Sequence, residues 1–441
     1  MENSPSQNNP VTPFAVTNYR DIRRRFGIKQ KNRRGHMYLV GKTGTGKSTL
    51  IQNLCAHDIE MGYGLALIDP HGDLAQNILE SVPERRIKDV IYFDPADLEY
   101  PVAFNPLENV AADHRYLVAS GMISVLKKVW AEFWGPRLEH ILRNTLLTLL
   151  ESPGSTLLDV PKLLTDERFR ETMLRRTAHP QVRDFWFTEF AKYSAWLRSE
   201  ATAPILNKVG QFLTSIPLRN IVGQRKSALD FRQIMDEGKL LIVNLAKGRI
   251  GEDNCSLLGA MLVTKIHLAA LSRADVLESK RRAFYLYVDE FHNFLTLSFA
   301  DILAESRKYG LNLVLAHQYL EQLDEKLRAA VFGNVGTIIS FRVGADDARI
   351  LAREFYPTFS ESDLVNLPNH SIYLKLLIDG APSAPFSAVT LPPCPRRQSY
   401  KSEIIALSRT RYAKPRRIAE QEILFSSRPQ PPGGAQQRRL M

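Results

Sequence analysis

Short apolar runs without alternation recur along the chain, and a polar or glycine-rich turn follows each of them. Such runs are typical of strands buried on both faces, and helical periodicity dominates the stretches between them. The pattern therefore predicts an α/β fold with a mostly parallel sheet covered by helices on both sides. The predicted strands lie at 37–40, 65–69, 89–95, 238–245, 282–290, 311–318 and 336–343.

Two regions depart from this alternation. From about 113 to 237 strand signals are few, which predicts an all-helical insertion. A hairpin-like pair at 371–390 closes the body of the chain, and the segment 402–425 is compatible with helix in two pieces broken at Pro415. The insertion carries all four tryptophans, which we interpret as core packing rather than a base-stacking platform: Trp130, Trp134, Trp186 and Trp196.

A phosphate-binding loop joins the first strand to an amphipathic helix. Residues 41–48 read GKTGTGKS, which fits the pattern G-x-x-x-x-G-K-[ST]. Glycines let consecutive backbone N–H groups turn towards a triphosphate, and the helix N-terminus favours anions. Lys47 would reach the β- and γ-phosphates, and the Ser48 hydroxyl would ligate Mg²⁺. The predicted nucleotide-binding residues are Gly41, Thr43, Gly44, Thr45, Gly46, Lys47, Ser48 and Thr49.

An acidic pair ends the strand FYLYV. Asp289 is predicted to hold Mg²⁺ through water, and Glu290 to polarise the attacking water, since hydrolysis needs both functions at a neighbouring strand end. Gln318 ends the next strand, where its amide would touch the γ-phosphate or the water. His317 points to the other face and is interpreted as structural. Asp69 has no adjacent base and is interpreted as a turn or outer acid.

Two arginines are candidates for stabilising the charge that develops during hydrolysis, one of them supplied by a neighbouring subunit. Arg307 stands near the end of a helix, whereas Arg342 interrupts the apolar run TIISFRV. A buried arginine is costly unless it is paired or lies at an edge. Structural ion pairing remains the alternative for each, and the sequence does not decide which of the two acts in trans.

The charge of +11 is carried by the two ends of the chain. Residues 1–36 hold eight lysines and arginines against two acids, and residues 391–441 hold eleven against three. The body between them is therefore slightly acidic. Basic ends favour a polyanionic partner such as nucleic acid, and solvated, partly disordered tails are the alternative.

The composition is that of a globular protein, with 44% hydrophobic and 24% charged residues. No stretch approaches 18 consecutive apolar residues, and the N-terminus lacks the apolar region of a signal peptide. Three widely spaced cysteines form neither a metal-ligand spacing nor a disulfide framework. We therefore expect no direct membrane span and a cytoplasmic location, peripheral at most to a membrane channel.

Taken in order, these motifs resemble the HerA/FtsK superfamily of ring-forming ATPases, nearest to the HerA-like and conjugative coupling-protein (TraG/TraD-like) branch. GKTGTGKSTL, IDPHGDL, YLYVDEFHNF, ESRKYGLNLVLAHQ and SFRVG carry the resemblance over about 36–390. It implies a RecA-like P-loop core, a homohexameric ring and threading of DNA, in some cases protein, through a channel. It assigns the sensor role to Gln318 and the trans-acting role to Arg307. Transmembrane helices or a β-barrel usually precede the P-loop in the family, and here the loop begins at Gly41.

The resulting organisation has five parts. They are a basic, partly disordered N-terminal segment (1–35), the first part of a RecA-like ATPase core (36–112), the helical insertion (113–237), the second part of the core (238–390) and a basic, Pro/Arg-rich tail (391–441).

The predicted function is an ATP-driven, ring-forming DNA translocase of HerA/FtsK type, with ATP and Mg²⁺ as cofactors and DNA as partner, and the resemblance connects it to type IV secretion and conjugation. Two alternatives stay open: an ATPase that drives protein export, and an ATPase that gates a nuclease or another effector. The sequence does not distinguish duplex from single-stranded DNA, nor a conjugative role from a phage, defence or chromosomal one.

Overall fold

The computed structural model describes residues 10–18, 22–108, 110–131, 134–295, 299–395 and 398–427. Parts of the predicted N-terminal segment (1–9, 19–21) and tail (396–397, 428–441) lie outside the described residues. The strands are β1 (Val11–Thr17), β2 (Arg25–Lys29), β3 (Met37–Val40), β4 (Gly64–Asp69), β5 (Val90–Phe93), β6 (Leu240–Asn244), β7 (Phe284–Val288), β8 (Leu311–His317), β9 (Thr337–Ser340), β10 (Ser371–Lys375), β11 (Leu377–Ile378), β12 (Ala381–Pro382) and β13 (Phe386–Thr390).

The helices cover most of the remaining chain. The α-helices are α1 (Gln30–Arg33), α2 (Lys47–Glu60), α3 (Asp73–Ser81), α4 (Arg115–Val129), α5 (Pro136–Leu150), α6 (Asp159–Thr165), α7 (Glu167–Leu174), α8 (Pro180–Asp184), α9 (Ala195–Thr214), α10 (Ile216–Val222), α11 (Phe231–Glu237), α12 (Lys247–Ile250), α13 (Glu252–Ser272), α14 (Phe299–Glu305), α15 (Glu325–Asn334), α16 (Ala345–Glu354), α17 (Glu361–Val365), α18 (Lys401–Tyr412) and α19 (Arg416–Ser427). Short 3₁₀ helices lie at Glu84–Asp89, Ala112–His114, Phe190–Lys192, Arg273–Asp275, Glu278–Lys280, Phe291–Phe294, Ser306–Tyr309 and Leu320–Gln322, and a π-helical turn lies at Phe185–Glu189.

Eleven of the strands form one sheet, in the order β2-β1-β13-β10-β9-β3-β8-β7-β4-β6-β5. The strands from β9 to β5 run parallel, and β10, β13, β1 and β2 extend the sheet in antiparallel fashion. Every residue of β3, β4, β6, β7 and β8 is buried. The prediction of a mostly parallel sheet covered on both faces is therefore confirmed, and the carboxyl ends of its parallel strands meet at one edge.

The described residues fall into two compact units. The sheet unit lies within Met1–Ala96, Ser124–Val129 and Asp230–Arg411. The helical unit lies within Asp97–Ile123, Trp130–Leu229 and Tyr412–Met441. The helical unit thus starts earlier than the predicted insertion, and α11 at its predicted end belongs to the sheet unit.

The N-terminal segment, where the structure describes it, contains two strands that the sequence did not predict. Residues 11–17 and 25–29 form β1 and β2, and β1 pairs with β13 through Ala15 and Thr390. These strands form because their apolar side chains Phe14 and Ile28 are buried in the same core as the central strands. The arginines that suggested a solvated tail flank these buried positions.

One of those arginines is buried rather than solvated. The Arg33 side chain is 1% exposed and forms a two-pronged ion pair with Asp58 of α2, with Nη2 at 2.9 Å from Oδ2. Tyr287 joins the pair, since its hydroxyl accepts from Arg33 at 2.6 Å and donates to Asp58 at 2.5 Å. The guanidinium also lies 3.8 Å from the ring centre of Tyr285. This network ties α1 and α2 to the β7 strand.

We expect Asp58→Asn to destabilise the protein by about 3–5 kcal/mol, because it leaves the charge of Arg33 buried without its counterion. Urea denaturation followed by circular dichroism measures the change. Asp379→Asn is the matched control. Asp379 forms ion pairs with Lys29 and Lys31, but its carboxylate is half exposed, so these ion pairs are solvated. Equal denaturation midpoints for the two variants would contradict the structural role of the buried network.

The C-terminal region forms two helices broken around Pro415, as predicted, but its interpretation as a tail is wrong up to residue 427. Helix α18 covers β5, the edge strand of the sheet. The hydroxyl of Ser408 accepts from the backbone N–H of Tyr92 at 2.8 Å, and Ile404 is fully buried. A covering helix protects the unpaired backbone groups of an edge strand from pairing with another chain. Helix α19 is part of the helical unit, where Ala419 is buried.

The helical unit has its own apolar core, with two of the four tryptophans inside it. Trp130 is 6% and Trp186 2% exposed, and the Trp186 indole donates to Thr148 at 2.8 Å. Trp134 is partly buried and bonds to Glu139. Trp196 at the start of α9 is 73% exposed. The prediction of core packing is therefore confirmed for two tryptophans and wrong for Trp196.

One helical stretch among the described residues, Glu252–Asp275, is long and apolar enough to cross a bilayer. Its length and composition are also those of a helix in a protein core. Leu258, Leu262 and Ile266 of this stretch are buried in the sheet unit, so packing accounts for their apolar character.

Candidate nucleotide-binding site

The predicted phosphate-binding loop lies between β3 and α2, at the carboxyl edge of the sheet. Gly44 and Gly46 adopt φ values of 76° and 121°, which side chains rarely adopt. A Cβ atom at Gly46 would also lie 2.9 Å from Nδ1 of His370. The loop therefore requires glycine at this position for both backbone conformation and space.

Lys47 opens α2 and turns back into the loop. Its side chain is buried, and Nζ donates to the carbonyl oxygens of Gly41 at 2.5 Å and Lys42 at 3.2 Å. Burial lowers the pKa of Lys47, and the carboxylates of Glu290 and Asp289 oppose this shift. The ammonium is thus held within the loop and interacts electrostatically with the acidic pair.

Backbone contacts tether the loop to the strands beside it. The N–H of Gly41 donates to His317 at the end of β8, and the N–H of Lys42 donates to Arg342 just after β9. On the other side, His370 donates its N–H to Thr45 at 2.8 Å, with φ of 66° at His370. Thr45 in turn donates its hydroxyl to Lys42 at 2.7 Å. The loop is therefore preformed by its neighbours.

The acidic pair follows β7 directly, and both side chains are 5% exposed. Asp289 donates its N–H to Ile68 of β4. Burial, then the neighbouring carboxylates of Glu290 and Asp69, raise the pKa of Asp289 to about 7, and Lys47 opposes the shift. A cation would favour the ionised carboxylate at this position. With the exposed hydroxyl of Ser48, Asp289 supplies the hard oxygen donors that Mg²⁺ prefers.

Glu290 is held in an unusual conformation. Its φ of 46° is in the left-handed region, a cost that clusters at functional sites. Asn293 donates both its backbone N–H and its side-chain amide to the Glu290 carbonyl at 3.0 Å. Gln318 donates to Glu290 Oε1 at 2.9 Å. Strand β8 lies between β3 and β7, so Gln318 ends the strand between the loop and the acidic pair.

The two residues that we interpreted as structural have structural contacts. Asp69 uses both carboxylate oxygens within its own turn, accepting from the N–H groups of His71 at 2.8 Å and Ala75 at 2.9 Å. His317 is fully buried, its Nε2 meets the Tyr38 hydroxyl, and burial lowers its pKa to about 3.

The two candidate arginines differ in their surroundings. Arg342 follows β9, which ends at Ser340, so the expectation of an arginine inside a strand is wrong. Its guanidinium donates to Asn369 at 2.9 Å and to the Leu367 carbonyl at 3.4 Å. Arg307 is exposed, and among the described residues its guanidinium has no hydrogen-bond or ion-pair partner.

Sequence reasoning missed two histidines of the site. His370 braces the loop, and His292 lies beside Glu290 with Nδ1 at 3.4 Å from Oε2. The position of His292 two residues after Glu290 was the one available signal. For His370 the sequence holds none, because its contact with Gly46 depends on a fold partner more than 300 positions away.

Together, a glycine loop, a strand-end acidic pair and an intervening glutamine on an open parallel sheet define a P-loop NTPase. The chain matches the profile of the type IV secretion-system coupling protein DNA-binding domain over residues 25–354. It belongs to this family. The predicted resemblance to coupling proteins and the predicted fold class are therefore confirmed.

Solved structures of low sequence identity share the fold. The plasmid coupling protein TrwB with a non-hydrolysable ATP analogue is 18% identical, with a TM-score of 0.61 over 85% of this chain and 89% of that one. TrwB with ADP and Mg²⁺ is 16% identical, with a TM-score of 0.60 over 88% and 97%. VirB4 of Thermoanaerobacter pseudethanolicus is 12% identical, with a TM-score of 0.55 over 90% and 99%. Among curated protein sequences no match was found.

Proposed function

We propose that the protein is an ATP-driven DNA translocase that forms a hexameric ring and hydrolyses ATP at subunit interfaces. Membership of the coupling-protein family supports a role in DNA transfer. The observation that carries the proposal is the contact between Gln318 and Glu290 beside the phosphate-binding loop. A nucleotide switch needs only the loop, whereas a carboxylate held by an amide at the same sheet edge suits activation of water.

The roles of the residues follow from their positions. Loop N–H groups from Gly41 to Thr49 and the ammonium of Lys47 would bind the phosphates, and Ser48 and Asp289 would hold Mg²⁺, which neutralises phosphate charge when bound. TrwB was solved with ADP and Mg²⁺, which agrees with this assignment. Glu290 accepts the proton of the attacking water, and Gln318 keeps its carboxylate in place.

Arg307 is our candidate for the arginine that acts on a neighbour's nucleotide. The apolar side chains of α14 are buried in the sheet unit, whereas Arg307, in the 3₁₀ turn that follows, is exposed. Arg342 already bonds within its own chain to Asn369. If Arg307 completes a neighbouring site, each active site needs two chains, and closed rotational symmetry gives every chain the same role.

We propose a separate role for each of the two units. Segments 36–112 and 238–390 supply most of the sheet unit, which would be the motor, and the insertion predicted at 113–237 would be an accessory unit. We propose a cytoplasmic location, peripheral at most to a membrane channel, which membership of a type IV secretion-system family supports.

Steady-state ATPase rates with and without duplex and single-stranded DNA test the proposal, together with the mass of the assembled complex. We expect stimulation by DNA and a mass of six chains. ATPase activity that is indifferent to DNA would instead favour protein export or the gating of an effector.

Three exposed arginines at the start of β2, Arg23, Arg24 and Arg25, are expected to make the affinity for DNA depend on salt. Replacing all three with glutamine should flatten the plot of log affinity against log salt for duplex DNA by about 0.9 for each phosphate that the protein no longer neutralises. Fluorescence anisotropy measures the slope, and the ATPase rate without DNA is the control. An unchanged slope would exclude these arginines from the DNA-binding surface.

A further inference from the structure

His292 lies between two polar side chains next to Glu290. Its Nδ1 is 3.4 Å from Glu290 Oε2, and its Nε2 is 3.2 Å from the amide nitrogen of Gln322. The ring is 20% exposed, and the Glu290 carboxylate is more deeply buried. Each ring nitrogen therefore faces one defined partner.

Gln322 decides which nitrogen of His292 carries the proton. An amide nitrogen donates and cannot accept, so Nε2 must accept from Gln322, and the proton of the neutral ring is on Nδ1. The flipped amide would place a carbonyl against Nε2 and draw the proton there. The lone pair of Nδ1 would then face the Glu290 carboxylate, which is repulsive. The arrangement with Nδ1–H towards Glu290 is the one that avoids repulsion at both nitrogens.

The surroundings keep His292 neutral. Burial, followed by the positive charges of Lys128 and Lys247 and by His71, lowers the pKa of His292 to about 4. Lys128 also donates through Nζ to the His292 carbonyl oxygen. The other groups that face the ring are the Glu290 carboxylate and the buried His317 ring. A neutral N–H can orient the Glu290 carboxylate without giving it a counterion.

We propose that His292 is a positioning residue for Glu290, with the proton on Nδ1 fixed there by Gln322. Gln318 holds Oε1 of Glu290 at 2.9 Å. Neither Oε2 of Glu290 nor Nδ1 of His292 has a hydrogen-bond partner within the described chain, and the two atoms face each other at 3.4 Å, just beyond the ideal distance. Such contacts often tighten when the substrate binds. Each carboxylate oxygen has two lone pairs, so the carboxylate held by Gln318 and His292 can still accept a proton from water.

This inference rests on the proposed function, because it takes Glu290 as the base in ATP hydrolysis. The test compares His292→Leu, which removes the donor, with His292→Asn, whose amide nitrogen can replace Nδ1–H. We expect His292→Leu to lower kcat about 10- to 100-fold, the value of one hydrogen bond to a charged group. KM for ATP and the Kd of a fluorescent ATP analogue should not change. His292→Asn should recover most of the rate.

Gln322→Glu provides an independent test, because the glutamate side chain has nearly the same shape as glutamine. A carboxylate against Nε2 draws the proton away from Nδ1, so kcat should fall as in His292→Leu. The double variant should lose no more than His292→Leu alone, because both changes break the same contact. Glu321→Gln, an exposed neighbour, is the matched control and should have the activity of the parent protein.

A normal kcat in His292→Leu would overturn the inference, and so would equal loss in His292→Leu and His292→Asn, which would indicate packing alone. If His292→Leu does not fold, a normal kcat in Gln322→Glu overturns it just as well. Failure of the proposed function has a different signature: the parent protein hydrolyses no ATP, or Glu290→Gln is as active as the parent.

Discussion

Glu290→Gln is expected to lower the rate of ATP hydrolysis about 10²- to 10⁴-fold while ATP still binds. The amide cannot accept the proton of the attacking water, but its oxygen can still accept the hydrogen bond from Gln318. Lys47, Ser48 and Asp289 remain for nucleotide and Mg²⁺. Phosphate release under single-turnover conditions measures the chemical step, and a fluorescent ATP analogue measures binding.

Removing the charge of Glu290 should leave Asp289 able to hold Mg²⁺. Glu290 is one of the groups that raise the pKa of Asp289, so without it Asp289 ionises more readily. Lys47→Ala is the contrasting variant, because it should weaken nucleotide binding itself. A normal hydrolysis rate in Glu290→Gln would show that another group acts as the base.

Arg307→Ala is expected to lower kcat about 10³-fold or more, the range known for arginines that act on a neighbour's nucleotide. Its origin in another subunit can be tested by mixing. Arg307→Ala and Lys47→Ala chains should each be nearly inactive alone. Mixed rings contain some interfaces that pair an intact Lys47 with an intact Arg307, so part of the ATPase activity should return.

Two controls sharpen the mixing experiment. Lys308→Ala removes the exposed cation next to Arg307 and should leave the rate unchanged. Because the bond of Arg342 to Asn369 favours a role within its own chain, mixing Arg342→Ala chains with Lys47→Ala chains should restore no activity. Normal hydrolysis by Arg307→Ala as a monomer would refute hydrolysis at subunit interfaces.

The sequence predicts the central strands well because their signal is local. Residues 37–40 or 284–288 are apolar throughout, and burial on both faces requires that pattern. The outer strands β1 and β2 were missed because their neighbouring arginines suggested a solvated segment. The partner of β1 is β13, near the other end of the chain, and no local pattern encodes that pairing.

The residues of the candidate site likewise divide into those that local sequence predicts and those that only the structure reveals. The phosphate-binding loop, the acidic pair and Gln318 are motifs of contiguous residues at strand ends, so spacing predicts them. The assignment of Arg307 over Arg342 required knowledge of which guanidinium already has a partner. The proposed proton position on His292 rests on its contact with Gln322, thirty residues later, which only the three-dimensional structure reveals.

The placement of β3 has a consequence for how the chain folds during synthesis. This strand carries the phosphate-binding loop, and its two neighbours in the sheet are β8 and β9. The ribosome must therefore reach Ser340 before the strand that ends at Val40 has both partners. Until then the backbone groups and apolar side chains of β3 lack their partners, and such a state is prone to aggregation. The nascent chain is consequently expected to need chaperone protection over most of its length, and the nucleotide site is among the last features to form.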